Sequence, residues 1–333
     1  MAALLHSNTS QTPFNPPPFH SMGLAIKIIR RSINALFHNY HVFTATAAIL
    51  VLPVSASALL SQTLAPSSFP ALQNLSSRLR LLFEAAGFPA SSEFFMLLNA
   101  KIIQTIFSFT FTLPFSLTFL LLAKASVVHM VHCFPRRIIT PPPLSSSLRV
   151  YLALLQTHVF NSFIILSANA AVLSVLFLAF NIIDALGISS SNAIFAFSVA
   201  GVILYSVVLA NVMVVCNLAT IVSAVENCSG YLPALKACVL ISGKAASAMT
   251  LAMPANLSMA AIEALFQYRV MKPYQISHRL DVSSIGEAFS ISYIYSMLIV
   301  LDIIISCMFY RSCKSEYDCQ TELEPDDKGA LQV

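Results

Sequence analysis

Six stretches of about twenty apolar residues, separated by short polar joints, constrain this chain more than any motif in it. A helix needs about 20 such residues to cross about 30 Å of hydrocarbon, where only backbone that satisfies its own hydrogen bonds is tolerated. The stretches are Val42–Leu60, Ile102–Ala123, Phe160–Ile183, Ala193–Val215, Ala245–Leu265 and Ala288–Tyr310. They predict an all-α membrane protein, a six-transmembrane-helix bundle over residues 42–310. Composition agrees: charged residues make up 10% of the chain, against about 25% in a soluble domain. The fifth stretch is rich in Ala and Ser and holds Pro254, which bundled membrane helices tolerate.

The flanks differ from the bundle. Residues 1–21 are polar and proline-rich, with too little apolar surface to fold alone, and are expected to be disordered. Over 22–41, Ile26, Ile29, Ile33, Phe37 and Tyr40 recur at helical spacing, while Lys27, Arg30, Arg31, Asn34 and His38 fall on another face. That pattern predicts an amphipathic interfacial helix on an anionic leaflet, each basic residue contributing about 1 kcal/mol. The plainer alternative is an ordinary basic flank of the first span. Residues 311–333 form an acidic tail, with Asp318, Glu322, Glu324, Asp326 and Asp327, and are also expected to be disordered.

Orientation follows from Lys and Arg, which are retained on the cytoplasmic side. With the amino terminus inside, that side receives Lys27, Arg30, Arg31, Lys124, Arg136, Arg137, Arg149, Lys236, Lys244, Arg311, Lys314 and Lys328, against Arg78, Arg80, Lys101, Arg269, Lys272 and Arg279 outside. Both termini are then cytoplasmic. Asn74-Leu75-Ser76 lies on the outer side and is a candidate N-glycosylation site. Every cysteine falls in a span or on the inner side, where thiols stay reduced. An amino terminus free of acids and rich in Ser, Thr and Pro is also that of an organellar transit peptide, which keeps a plastid membrane open. The net charge of +4, without a dense basic run, gives no case for nucleic acid.

Two motifs stand out at span ends. After the fourth span the chain reads VVCNLATIVSAVENCSGYLPALKACVLISGKA, with Glu226, Gly230, Ala234-Leu235 and Gly243-Lys244 in sequence. The last span ends in FYRSCKS, with Phe309, Tyr310, Cys313, Lys314 and Ser315. Both resemble a plant family of uncharacterised six-span integral membrane proteins, and a weaker likeness sits in the VVHMVHCF joint. The resemblance covers residues 22–329 and implies the topology and an endomembrane or plasma-membrane residence, with no activity to carry over. The chain departs from that family in its proline-rich front and in lacking a longer acidic and aromatic tail.

Few residues carry chemistry. In the loop after span four, Asn227, Ser229 and Gly230 break the helix and Pro233 suits a new first turn, so a short interfacial helix is expected before span five. Glu226 and Lys244 would bracket it, for contacts with loops or lipid phosphates, or as a solvated pair. Asp302 stands in LIVLDIIIS, where a charge costs at least about 2.5–3.5 kcal/mol. It is a candidate ion or solute site, or a helix-packing hydrogen bond, with Asn169 and Asn211 among its candidate neighbours; no basic partner is expected mid-span. His129, His132 and Cys133 lack the further ligands that a transition metal wants, so no metal and no cofactor is expected. Cys313 is a candidate for acylation at the bilayer surface.

No serine elbow, zincin motif or phosphate loop is present in the sequence. The expected function is a membrane-organising, scaffold or trafficking component, touching the bilayer, anionic headgroups and membrane-protein partners or further copies of itself. The small residues Ala196/Ala200, Ser206/Ala210 and Gly243/Ser247 offer helix-packing surfaces for such partners. A transporter or channel for a small solute is the alternative, and a lipid-modifying enzyme a weaker third.

Overall fold

The computed structural model describes residues 18–63, 70–85, 93–133, 144–185, 191–242, 244–277 and 282–322. Among them the chain is helical, with short turns and no strand. Six helical spans are long and apolar enough to cross a membrane: Tyr40–Ser61, Met96–His132, Val150–Ile183, Phe195–Glu226, Ala245–Tyr274 and Ser283–Ser315. The protein is therefore a multi-pass, all-α membrane bundle.

The first helix, α1 (Pro18–His38), opens on a proline, whose missing N–H is harmless in a first turn. The face it turns to the bundle is not the apolar stripe that periodicity picks out. Ala25, Ile28, Ser32 and Ala35 are buried against the bundle, whereas Ile26, Ile33 and Phe37 stay exposed. Apart from Ile28 the buried residues are small, which allows close approach to the spans, and most of the bulky stripe is left for the surroundings.

Span one joins α2 (Tyr40–Thr46), a π-helical stretch (Ala47–Val51) and α3 (Leu52–Thr63). Pro53 explains the π turn: its ring would press on the carbonyl of Ile49, four residues back, and it has no N–H for it. The same relation recurs in span five, where the π stretch Gln267–Met271 holds Arg269, four residues before Pro273. The helix α4 (Pro70–Ala85) lies between the first two spans and packs Phe83 on Leu98, Ile102, Phe177 and Phe180.

Span two runs through α5 (Glu93–Phe115), a π stretch (Ser116–Leu120) and α6 (Leu121–Cys133). One π-turn carbonyl, that of Leu117, accepts the Tyr151 hydroxyl at 3.0 Å. Spans three and four are the long helices α7 (Leu144–Ala185) and α8 (Ser191–Glu226), which pack on each other. The short α9 (Leu232–Ile241) follows, then α10 (Ala245–Phe266) and α11 (Lys272–Ser277) around the π stretch of span five. The last span lies in α12 (Val282–Glu322).

Helix α12 continues past residue 311, where a disordered tail was expected, because no Gly or Pro interrupts the chain until Pro325. Residues 1–17 and 323–333, the rest of the expected disordered flanks, lie outside the described residues. The main core is concentrated at one end of the bundle, joining α1, α6, the later half of α8, α9 and the later half of α12. Elsewhere the spans carry exposed Leu166, Leu178, Val202 and Leu204, the outward apolar coat that lipid requires.

Candidate functional site

At the core-bearing end, α8 stops at Glu226 and the chain turns through Asn227 (φ 53°) and Gly230 (φ 78°). Left-handed backbone suits Gly and is tolerated by Asn, so this pair makes the reversal, and Pro233 then starts α9. The Ser223 hydroxyl donates to the Cys228 carbonyl at 2.7 Å and ties the turn to α8. Burial pushes the Cys228 thiol above its ordinary range.

The Glu226 carboxylate is the hub of this end. Lys236 of α9 donates to Oε2 at 2.6 Å, and Tyr310 of α12 donates its hydroxyl to Oε1 at 2.8 Å. Lys314 reaches Oε1 at 3.3 Å and the Tyr310 oxygen at 3.3 Å, with its ammonium 5.7 Å from the Tyr310 ring centre. The bond to Glu226 holds the Lys236 ammonium above the usual lysine range. One turn away, Arg311 donates to the Val131 carbonyl at 3.3 Å, joining α12 to the end of α6. The two motifs at span ends, 84 residues apart, thus form one ionic latch across α8, α9 and α12.

Deeper in the bundle lies a second polar group. Lys124 of α6 lies within electrostatic range of Asp302 of α12, and of Cys216, Cys307 and His158. Among the described residues no direct ion pair joins the two charges. Asp302 instead faces a cavity of about 40 Å³ that Asn217 and Ser306 also line, room for about one water. Between α7 and α8, Thr157 donates to Ser223 at 3.0 Å, and Asn161 donates to the Cys216 carbonyl at 2.9 Å and the Thr220 hydroxyl at 3.2 Å. Toward the other end, Tyr295 donates to Glu263 at 2.7 Å, a second acid within a span.

These positions revise several expectations. Lys124 is not a loop residue, because α6 carries the helix on to Cys133, and it brings a basic residue within electrostatic range of Asp302, where none was expected. Asn169 accepts the Tyr205 hydroxyl at 2.6 Å, and exposed Asn211 donates to the Val207 carbonyl at 2.9 Å, so the polar neighbour at the Asp302 cavity is Asn217. Glu226 is met by Lys236 and Lys314, while Lys244 caps α10 through its backbone, accepting from Ala248 at 3.0 Å. Cys313 is 2% exposed and packed in the main core, so its sulfur does not face the bilayer surface that acylation requires. Asn74 is exposed on α4, with the Ser76 hydroxyl accepting from Asn99 at 3.1 Å. His129 and His132 are exposed on α6, and among the described residues no group of three or more side chains could hold a metal.

Lys124, Tyr310 and Lys236 were missed as site residues. Only the pairing of Lys124 with Asp302 had a signal in the sequence, an unbroken helix-forming run LLAKASVVHM without Gly or Pro.

Fold and site together define a multi-pass α-helical membrane protein closed at one end by an ionic latch. The chain matches, over residues 18–323, the family described as a domain of unknown function, DUF8558, and belongs to it. No curated protein and no solved structure matches it.

Proposed function

We propose that the protein is a membrane-organising component, a scaffold or trafficking element of a plant endomembrane or plasma membrane, with both termini in the cytoplasm. The observation that carries this reading is where the polar groups go: they join helices to one another. Glu226 holds α9 and α12, Asn161 and Thr157 hold α7 to α8, and the space left at Asp302 takes about one water rather than a solute. Ala196, Ala200 and Ser206 are exposed on α8, leaving a small-residue face to another helix, from a further copy or a different membrane protein. The inward assignment of the termini is supported by the basic residues at both ends of the chain, Lys27, Arg30 and Arg31 on α1 and Arg311 and Lys314 on α12, which suit an anionic leaflet. A plant source and the compartment rest on the sequence resemblance, and the acid-free amino terminus supports a plastid membrane as the alternative.

Cross-linking in intact membranes followed by purification tests it. The scaffold reading expects discrete cross-linked species of defined stoichiometry, unchanged in Asp302→Asn; a chain that stays monomeric and without partners overturns it.

A transporter or channel is the second reading, favoured by the intramembrane charges Lys124 and Asp302 and by a cavity where Asp302, Asn217 and Ser306 interrupt an otherwise apolar wall. Solute flux in proteoliposomes that is abolished by Asp302→Asn would establish it in place of the scaffold.

A further inference from the structure

The latch borders a groove of about 410 Å³ between α8, α9 and α12. Its polar lining is Glu226, Lys236, Tyr310 and Lys314, and its apolar lining Val222, Leu235, Val239 and Leu240. We propose that this groove binds one anionic glycerophospholipid, its phosphate across Lys236 and Lys314 and an acyl chain along α9.

Charge is the first reason. Two ammonium groups share a single carboxylate, Lys236 on one oxygen and Lys314 on the other, so the group carries one positive charge in excess and the cations are held as neighbours. An ammonium has three donors. Lys236 uses one on Glu226, and Lys314 uses one on Glu226 and one on Tyr310, so both keep donors for a phosphate oxygen. Their side chains are 55% and 45% exposed, open to a ligand while anchored. Glu226 acts here as a positioning residue.

The apolar wall is the second reason. Leu235 is 56% and Val239 62% exposed, although α9 buries Pro233, Ala234, Ala237 and Ile241 against the core. An apolar surface left open beside fixed cations, at the end of membrane-crossing helices, has the polarity profile of a phospholipid across the headgroup and acyl boundary. A free phosphate would satisfy the cations and leave that wall uncovered. The site is separate from the basic face of α1 and does not depend on the scaffold reading.

The test is native mass spectrometry of the full chain in detergent, titrated with phosphatidylglycerol, phosphatidylcholine or inorganic phosphate. The expected result is one phosphatidylglycerol retained at least tenfold better than phosphatidylcholine and not displaced by inorganic phosphate. Lys236→Ala with Lys314→Ala abolishes that preference, and Lys236→Arg with Lys314→Arg keeps it. Because the alanine pair also loosens the latch, Val239→Asn, which leaves the latch intact, provides a second reading and lowers retention of the same lipid. Lys27→Ala with Arg30→Ala and Arg31→Ala leaves the preference in place. Undiminished retention in both the alanine pair and Val239→Asn overturns the proposal, as does displacement by inorganic phosphate.

Discussion

Tyr310 and Glu226 are 84 residues apart in the chain, and the hydroxyl of one donates to the carboxylate of the other at 2.8 Å. That bond joins the end of the fourth span to the end of the sixth, with Lys236 and Lys314 on the same carboxylate. Losing the hydroxyl alone in Tyr310→Phe is expected to cost about 1 kcal/mol, since the ammonium groups still satisfy the acid. Glu226→Ala removes the centre of the latch and should cost more. Thermal unfolding of the purified protein in detergent gives the order: wild type above Tyr310→Phe, above Glu226→Ala.

The pH dependence of the latch follows from Lys236. Its pKa in the folded chain is raised, chiefly by the hydrogen bond to Glu226, so its contribution is complete below the ordinary lysine value of about 10.4 and is lost as pH rises through the higher folded value. The difference in thermal midpoint between wild type and Lys236→Met is therefore constant through neutral pH and, on the alkaline side, closes only as pH passes the raised lysine value.

Inside the bundle, Lys124 and Asp302 lie within electrostatic range of each other. Neither side chain is fully buried and, among the described residues, no direct ion pair joins them, so removing either charge is expected to cost about 1 kcal/mol or less. Lys124→Met combined with Asp302→Leu should cost less than the sum of the two single variants. A double-variant loss equal to the sum of the singles contradicts this pairing.

The turn after α8 separates conformational from steric cost. Nothing lies within 4 Å of a Cβ placed on Gly230, whose φ is 78°, so Gly230→Ala meets no neighbour and costs about 1–2 kcal/mol through the backbone alone. Asn227→Gly, at φ 53°, should be neutral or slightly stabilising. Unfolding of the two variants in detergent is the check.

What was legible in the sequence is what local physics writes there. Apolar length marked the six spans, and the Asn227, Gly230 and Pro233 cluster marked the turn into α9. Span ends were less legible, because a helix can run past the end of an apolar stretch where no Gly or Pro interrupts it; this is how Lys124 came to lie inside a span and how α12 ran on to Glu322. Partners were least legible. Glu226 stands near Lys244 in the chain, yet Tyr310 and Lys314 reach it from far away, because the packing of α12 against α8 and α9 decides the meeting. Cys313 looked like a surface thiol from its basic neighbours, but its helical position turns it into the core.

Six helices long and apolar enough to cross a membrane carry the chain through the bilayer six times. Accessibility mapping with small tags at the amino and carboxyl termini, in sealed membrane vesicles, tests it most directly. Six crossings put both tags on the same face, protected or cleaved together; tags on opposite faces would contradict the account.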